Sequence, residues 1–394
     1  MSGNLVAGQS GGVTAVLNSS LAGVIHAASA SGQVDRIFGM RHGIRGVLEN
    51  ELLALDGLDD VFLDRLSRTP GAWLGSSRFA PTSDELALLL ERLRAIDARY
   101  YIYAGGNDSA DTSARLSNLA LAQGYDLHVV NVPKTIDNDL PDMDHCPGYA
   151  SAAAYVAMST RLLCLDTQAM RREEPVRVIE VKGRHSGWLA AAAAAFERPD
   201  GGRPLCVYVP EQPLENRKVL DDVTCGLSRS GYAVLVVSEH AVDATGRQVG
   251  ESENVYVDPF GHDDSHGPGA FIQSLVQTDL KQRCRLDVLG AMQKVSLLPT
   301  CDLDRREAFA AGEHAVQTAL SGETGRCVTL NRERGDEYRV TYGLTDLERI
   351  ARTERLLPEG FVEGSSPTAA FRAWLRPLLA GLEPQIEQLV EMSS

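Results

Sequence analysis

Short apolar runs alternate with stretches of helical periodicity along the chain. Leu5-Val6-Ala7 stops at Gly8-Gln9-Ser10-Gly11-Gly12, and Val13 to Ala30 then reads as a helix of small residues. Tyr100 to Tyr103 is a second apolar run, ending at Gly105-Gly106, and a helical pattern follows from Asp108 to Leu121. His128 to Val132 runs into Pro133, and residues 150–170 read as one long helix. Val176 to Val181, Leu205 to Val209 and Tyr232 to Ser238 are further strands, the last ending at Glu239. This alternation predicts an α/β fold, with parallel sheets covered by helices on both faces. In such folds ligands bind beyond the carboxyl ends of the strands. The glycine-rich and polar clusters each follow a strand, so they are expected to meet in one cleft.

The alanine tract Leu189 to Ala195 reads as a tightly packed helix. Glu359 to Pro367 is the best candidate for a linker. Beyond it, Phe371, Trp374, Leu375, Leu378 and Leu379 share one face of an amphipathic helix, expected to pack on the body or to form a dimer contact.

The 394 residues allow about two to three domains. A formal net charge of −15 argues against a nucleic-acid partner, and an anionic substrate must then be held by locally placed cations. No apolar run is long enough to span a bilayer, and the first residues lack the pattern of a signal peptide. The 7 cysteines include no CxxC pair, which argues for reduced thiols rather than a disulfide scaffold. A cytoplasmic protein with no membrane partner is expected.

Two strand-to-helix turns carry glycines, at Gly8-Gln9-Ser10-Gly11-Gly12 and at Ala104-Gly105-Gly106-Asn107-Asp108-Ser109. Glycine lets a ligand approach the backbone, and free N–H groups at a helix start attract phosphate. Neither spacing is that of a dinucleotide fingerprint or a P-loop. A capping role would account for Asp108 or Ser109 taken singly. The segment Pro133-Lys134-Thr135-Ile136-Asp137-Asn138-Asp139 sets one ammonium and two carboxylates on one turn. Phosphoryl transfer needs such a set: a cation for phosphate, an oxygen ligand for Mg²⁺ and a base for the attacking hydroxyl. A solvated turn would use the same residue types.

These segments, in this order, resemble the phosphofructokinases. The likeness also takes in Leu74-Gly75-Ser76-Ser77-Arg78, Lys182-Gly183-Arg184-His185-Ser186-Gly187, Pro210-Glu211, Glu239 and Leu289-Gly290-Ala291-Met292-Gln293-Lys294, and it runs from about residue 3 to about residue 330. The resemblance implies two doubly wound, Rossmann-like domains with the active site between them. Residues 1–150 and about 295–345 would form the phosphoryl-donor domain, 151–294 the sugar-phosphate domain, and 346–394 a C-terminal helical extension. It implies Asp137 as general base, with Lys134 and Asp108 beside it in the catalytic set. Thr135 and Ile136 would lie against the substrate, and the Gly11 N–H would meet the donor. Lys182, Gly183 and Arg184 would hold the sugar phosphate, and Glu239 would accept sugar hydroxyls. Arg285 and Ala291-Met292-Gln293-Lys294 would line the 6-phosphate end. Mg²⁺ is the implied cofactor, with Asn107 and Asp137 as its protein ligands; Asn107 stands where the family usually has Asp. A homodimer or homotetramer is implied, because the family commonly completes the sugar site across a subunit interface.

The implied acceptor is fructose 6-phosphate and the implied donor is pyrophosphate. Family members that use ATP usually have glycine where this chain has Asp108, and Pro-Gly where it has Pro133-Lys134. A carboxylate at 108 would fill the space of a nucleotide α-phosphate and repel its charge. An ATP-dependent enzyme and a non-catalytic regulatory subunit are the alternatives, the second motivated by Asn107 and Ala291. His26 and His185 are expected to be packing or supporting residues. The Gly261 to Gly267 loop is expected to be a polar turn rather than a metal site.

Overall fold

The structure is a computed structural model that describes residues 3–196, 204–250, 267–297, 301–335 and 337–384. Nearly all of the Gly261 to Gly267 loop lies outside the described residues. The first part of the chain gives β1 (Gly3–Gln9), α1 (Leu17–Ala30), β2 (Val34–Met40), α2 (Ile44–Leu48), β3 (Leu52–Ala54), α3 (Asp60–Ser67), α4 (Ser83–Ala95), β4 (Ala98–Gly105), α5 (Asn107–Ala122) and β5 (His128–Pro133). The middle gives α6 (Tyr149–Ala169), β6 (Val176–Val181), α7 (Trp188–Ala192), β7 (Leu205–Tyr208), α8 (Asn216–Ser230), β8 (Ala233–Ser238), α9 (Pro268–Asp279) and β9 (Cys284–Val288). There follow α10 (Met292–Val295), α11 (Asp302–Leu320), β10 (Arg326–Arg332), β11 (Val340–Asp346), α12 (Leu347–Arg352), β12 (Val362–Glu363), β13 (Ser366–Pro367) and α13 (Ala369–Leu375).

Two main sheets result. A seven-stranded sheet has the order β11-β10-β5-β4-β1-β2-β3, and a four-stranded sheet the order β7-β8-β6-β9. The inner strands of the first sheet and every strand of the second run parallel. Parallel strands are covered on both faces, which is why β6 and β8 are buried along their whole length.

Small residues let helices approach closely. α1 crosses α11 at reciprocal glycines: a Cβ on Gly23 would fall 2.0 Å from the Phe309 carbonyl oxygen, and one on Gly312 2.1 Å from that of Ser20. The alanine tract does the same for α7, whose residues are all buried. Two expectations shift. α1 starts at Leu17 rather than Val13, because Gly11 to Thr14 wrap the cleft and Gly11 has φ 73°. Glu359 to Pro367 is no linker: it folds into the β12–β13 hairpin, and the Ser365 carbonyl accepts a hydrogen bond from the Val207 N–H on β7 at 2.8 Å. The amphipathic face beyond it is buried in the chain's own core, with Phe371, Leu375 and Leu378 fully enclosed.

Candidate active site

Strand register brings the site together. In the seven-stranded sheet Gln9 lies opposite Ala104, and Gly105 opposite Pro133. The chain therefore leaves β1, β4 and β5 side by side. The Ser10 N–H donates to the Ala104 carbonyl at 2.9 Å and the Lys134 N–H to the Gly105 carbonyl at 3.0 Å. In the four-stranded sheet Val181 lies opposite Ser238, so Lys182 and Glu239 emerge as neighbours and pair at 2.7 Å. The two sets of strand ends face one cleft of ≈ 210 Å³. Ser10 to Thr14, Arg78, Gly106 to Ser109, Lys134 to Asp137, Asp139, Lys182, Arg184, His185, Glu239, Lys294 and Glu354 line it.

The turn after β5 is the centre. Asn138 sits between the two carboxylates with φ 58°, and its side-chain oxygen accepts the Cys146 N–H at 2.9 Å. The Thr135 hydroxyl oxygen accepts the Asp137 N–H at 3.1 Å and the Ser186 hydroxyl donates to the Asp137 carbonyl at 2.8 Å. Asp137 and Asp139 each keep one buried carboxylate oxygen without a hydrogen-bond partner. Burial, with the charges of Asp139 and Glu239 added, pushes Asp137 up to about 7 against the pull of Lys182 and Arg184. Burial also raises Asp139, opposed by the Thr135 hydroxyl and by Arg355 and Lys134.

Lys134 is 5% exposed, and burial brings its ammonium down to about 8 although Asp139 and Asp137 favour the charged form. A Cβ on Gly11 would lie 3.2 Å from that Nζ. Glycine is needed at 11 both for the positive φ and to leave room for the ammonium. Its N–H, however, donates to the Ser77 carbonyl at 3.1 Å. Gly11 lines the cleft and shapes it through the missing side chain.

The 6-phosphate group of residues divides. Lys294 reaches the cleft, and burial, with Lys182 and Arg78 nearby, lowers its pKa. Gln293 is buried behind it, its side-chain oxygen accepting the Lys182 N–H at 3.1 Å and its amide donating to the Gly290 carbonyl at 3.2 Å. Ala291 and Met292 are exposed outside the cleft. Arg285 points away on β9, paired with Glu174, so within one chain it does not meet the cleft. Gly183 does not line the cleft but turns the chain with φ 117°.

Three participants were not assigned from sequence. Arg78, from the Leu74 to Arg78 segment, lines the cleft. Glu354 comes from the C-terminal extension, for which no motif gave a signal. His185 also lines the cleft, its ring edge-on to His240 at 5.3 Å. His26, by contrast, bonds Glu313 at 2.8 Å between α1 and α11, as a packing residue would.

Among the described residues, no group of three His, Cys, Asp or Glu side chains forms a ready metal cage. Mg²⁺ seldom needs one: one or two carboxylates, substrate phosphates and water complete its shell. The open oxygens of Asp137 and Asp139 fit that pattern. Asn107 offers only its oxygen, since its amide nitrogen donates to the Ile350 and Thr353 carbonyls at 3.0 and 3.2 Å.

The architecture and the charged cleft have clear relatives. The phosphofructokinase family description matches residues 4–319. A pyrophosphate–fructose 6-phosphate 1-phosphotransferase of Xanthomonas campestris pv. campestris is 37% identical over 390 residues, 97% of this chain and 93% of its own. A sulfofructose kinase of Alkalicoccus urumqiensis is 33% identical over 375 residues, 94% of each chain. The crystal structure of a pyrophosphate-dependent phosphofructokinase from Nitrosospira multiformis matches with TM-score 0.88 and 34% identity, over 98% of this chain and 94% of that one. The chain belongs to the phosphofructokinase family.

Proposed function

We infer that the enzyme is a pyrophosphate–fructose 6-phosphate 1-phosphotransferase: it moves a phosphoryl group reversibly from pyrophosphate to the 1-hydroxyl of D-fructose 6-phosphate. The observation that carries the donor assignment is the buried Lys134 ammonium against Gly11, with Asp108 at the start of α5 lining the same cleft. Relatives that bear this name support it. The half containing the seven-stranded sheet would take the donor and the half containing the four-stranded sheet the sugar.

Asp137 removes the proton from the sugar 1-hydroxyl as that oxygen bonds to phosphorus and the bridging P–O bond of pyrophosphate breaks. The departing phosphate takes the bond's electrons. Lys134 offsets the charge on the donor, and Arg184, Lys182 and Lys294 receive the sugar phosphate. Little nucleophile activation is needed because such transition states are loose, so placement and charge carry most of the catalysis. Mg²⁺, held by Asp137 with the open oxygens nearby, would neutralise phosphate charge when bound. The assembly we expect is a homodimer or homotetramer, with Arg285 of each copy on the outer face of β9. Among the described residues, no helix is long and apolar enough to cross a membrane; we place the enzyme in the cytoplasm.

Steady-state kinetics with Mg²⁺ test the reading. The kcat/KM with pyrophosphate is expected to exceed that with ATP, and fructose 6-phosphate to exceed sulfofructose as acceptor. Equal or better turnover with ATP would overturn the donor assignment.

Gly11→Ala is a second check. The left-handed backbone at that position costs a non-glycine residue ~1–2 kcal/mol, and the added methyl presses on Lys134. A lower melting temperature and a raised KM for pyrophosphate are expected, with the KM for fructose 6-phosphate nearly unchanged. Wild-type values for both would remove Gly11 from the site.

A further inference from the structure

The end of α12 and the segment after it reach the start of α5, the turn after β5 and Glu211. The Asn107 amide holds the Ile350 and Thr353 carbonyls at 3.0 and 3.2 Å. Glu354 then faces the cleft. The Arg355 N–H donates to the Asp139 carbonyl at 2.6 Å. Its guanidinium passes behind the catalytic turn, where Nε and Nη2 donate to the Asn138 carbonyl at 3.1 and 2.9 Å. Nη1 donates to the Asp144 carbonyl at 2.7 Å and also to that of Met143. The guanidinium lies 4.6 Å from the centre of the Trp188 ring. Finally the Leu357 N–H donates to the Glu211 carboxylate at 2.7 Å, and the same oxygen accepts the Gly187 N–H at 2.9 Å.

We propose that Arg355 is a positioning residue for the reaction, setting the geometry of Asp137 and Asp139 by clamping the Asn138 carbonyl between them. The turn needs such a clamp. Asn138 holds a left-handed backbone, which Asn adopts more readily than most residues but still at a cost. Its side chain is anchored through Cys146, and its carbonyl is anchored through Arg355. The planar fork of a guanidinium can hold carbonyls on both edges at once, which an ammonium cannot. Three carbonyls of one loop converge on this single group. If Arg355 served only to fasten the C-terminal segment, the Leu357–Glu211 bond and the Asn107 amide would already do so on either side of it.

The inference rests on Asp137 as the base, and a double-mutant cycle separates the two claims. Steady-state kinetics are measured for Arg355→Lys, Arg355→Met, Asp137→Asn and Arg355→Met with Asp137→Asn, with Trp fluorescence and thermal melting as controls of fold. A misplacement on the scale of 1 Å can cost ~10²-fold, so Arg355→Met is expected to lower kcat by roughly that factor with both KM values little changed. Arg355→Lys should recover part of the loss. In the Asp137→Asn background the same change should cost far less, because the group it positions is already gone. An equal loss in both backgrounds would overturn the positioning role and leave a structural one. Wild-type kcat in Arg355→Met would overturn it outright. If Arg355→Met does not fold, the same cycle run with Arg355→Lys decides. If Asp137→Asn itself keeps full activity, the base assignment fails, and the proposal built on it falls with it.

Discussion

Asp137→Asn is expected to lower kcat in the forward direction by ~10²–10⁴-fold, the usual span for a positioned general base. The KM for fructose 6-phosphate should move little, because Asn keeps the size of the side chain and Lys182, Arg184 and Lys294 remain. Melting temperature should hold or rise. One oxygen of the native carboxylate is buried without a hydrogen-bond partner, and a charge is costlier there than a neutral amide. The same residue sets a pH signature. With its pKa raised to about 7, Asp137 is the carboxylate above that pH and the acid below it. Forward transfer needs the carboxylate, so its rate falls as pH drops through about 7. The reverse reaction must return a proton to the sugar oxygen, so it needs the acid and falls as pH rises through the same region. Rate profiles in both directions should lose these opposed limbs in Asp137→Asn. Bound Mg²⁺ would move both limbs to lower pH together without changing their order.

The strand ends were legible because three features coincide there. Apolar runs mark β1, β4, β5, β6 and β8, a glycine or proline stands at or near the ends of β1, β4, β5 and β6, and parallel topology gathers the strand ends of each sheet at one edge. Lys134, Asp137, Asp108, Lys182, Arg184 and Glu239 all follow strand ends, and all line the cleft. Side-chain direction was harder to read. Arg285 lies on a strand whose neighbours are known from register, yet Glu174 draws it to the outer face. Gln293 turned inward as a prop for Lys182 rather than outward to a ligand.

The C-terminal segment was not legible, because nothing in a local pattern says that residues near 350 return to a turn near 138. Its effect was nonetheless visible as an anomaly. Asn107 stands where the family usually has Asp. A carboxylate there would face the Ile350 and Thr353 carbonyls with no hydrogen to offer them, whereas the amide donates to both. The exchange of Asp for Asn is therefore explained by the segment that covers α5, and the regulatory-subunit alternative loses one of its two motives. The turn after β5 keeps Lys134, Asp137 and Asp139 in the cleft, with Lys134 buried.

Asp108→Gly with Lys134→Gly is expected to shift the ratio of kcat/KM for pyrophosphate over ATP toward ATP by several hundredfold. Two unit charges at about 4 Å in an effective dielectric near 20 repel by about 4 kcal/mol, and removing the Asp108 carboxylate relieves a nucleotide of that cost. The single variants should separate the two causes. Asp108→Gly alone should raise turnover with ATP while keeping much of that with pyrophosphate, since Lys134 remains. It should also lose ~0.3–1 kcal/mol of stability, because Asp108 lies in the first turn of α5, where a negative charge favours the helix. Lys134→Gly alone should mainly weaken pyrophosphate, which has no other part to grip, and removes one of the cations that act on Asp137 and Asp139. Glu354 lines the same cleft, so its charge still opposes ATP in the double variant and the ratio should stop short of full inversion. Adding Glu354→Gln should then carry it further. An unchanged ratio in the double variant would show that donor choice is set by shape elsewhere in the cleft and not by charge at 108 and 134.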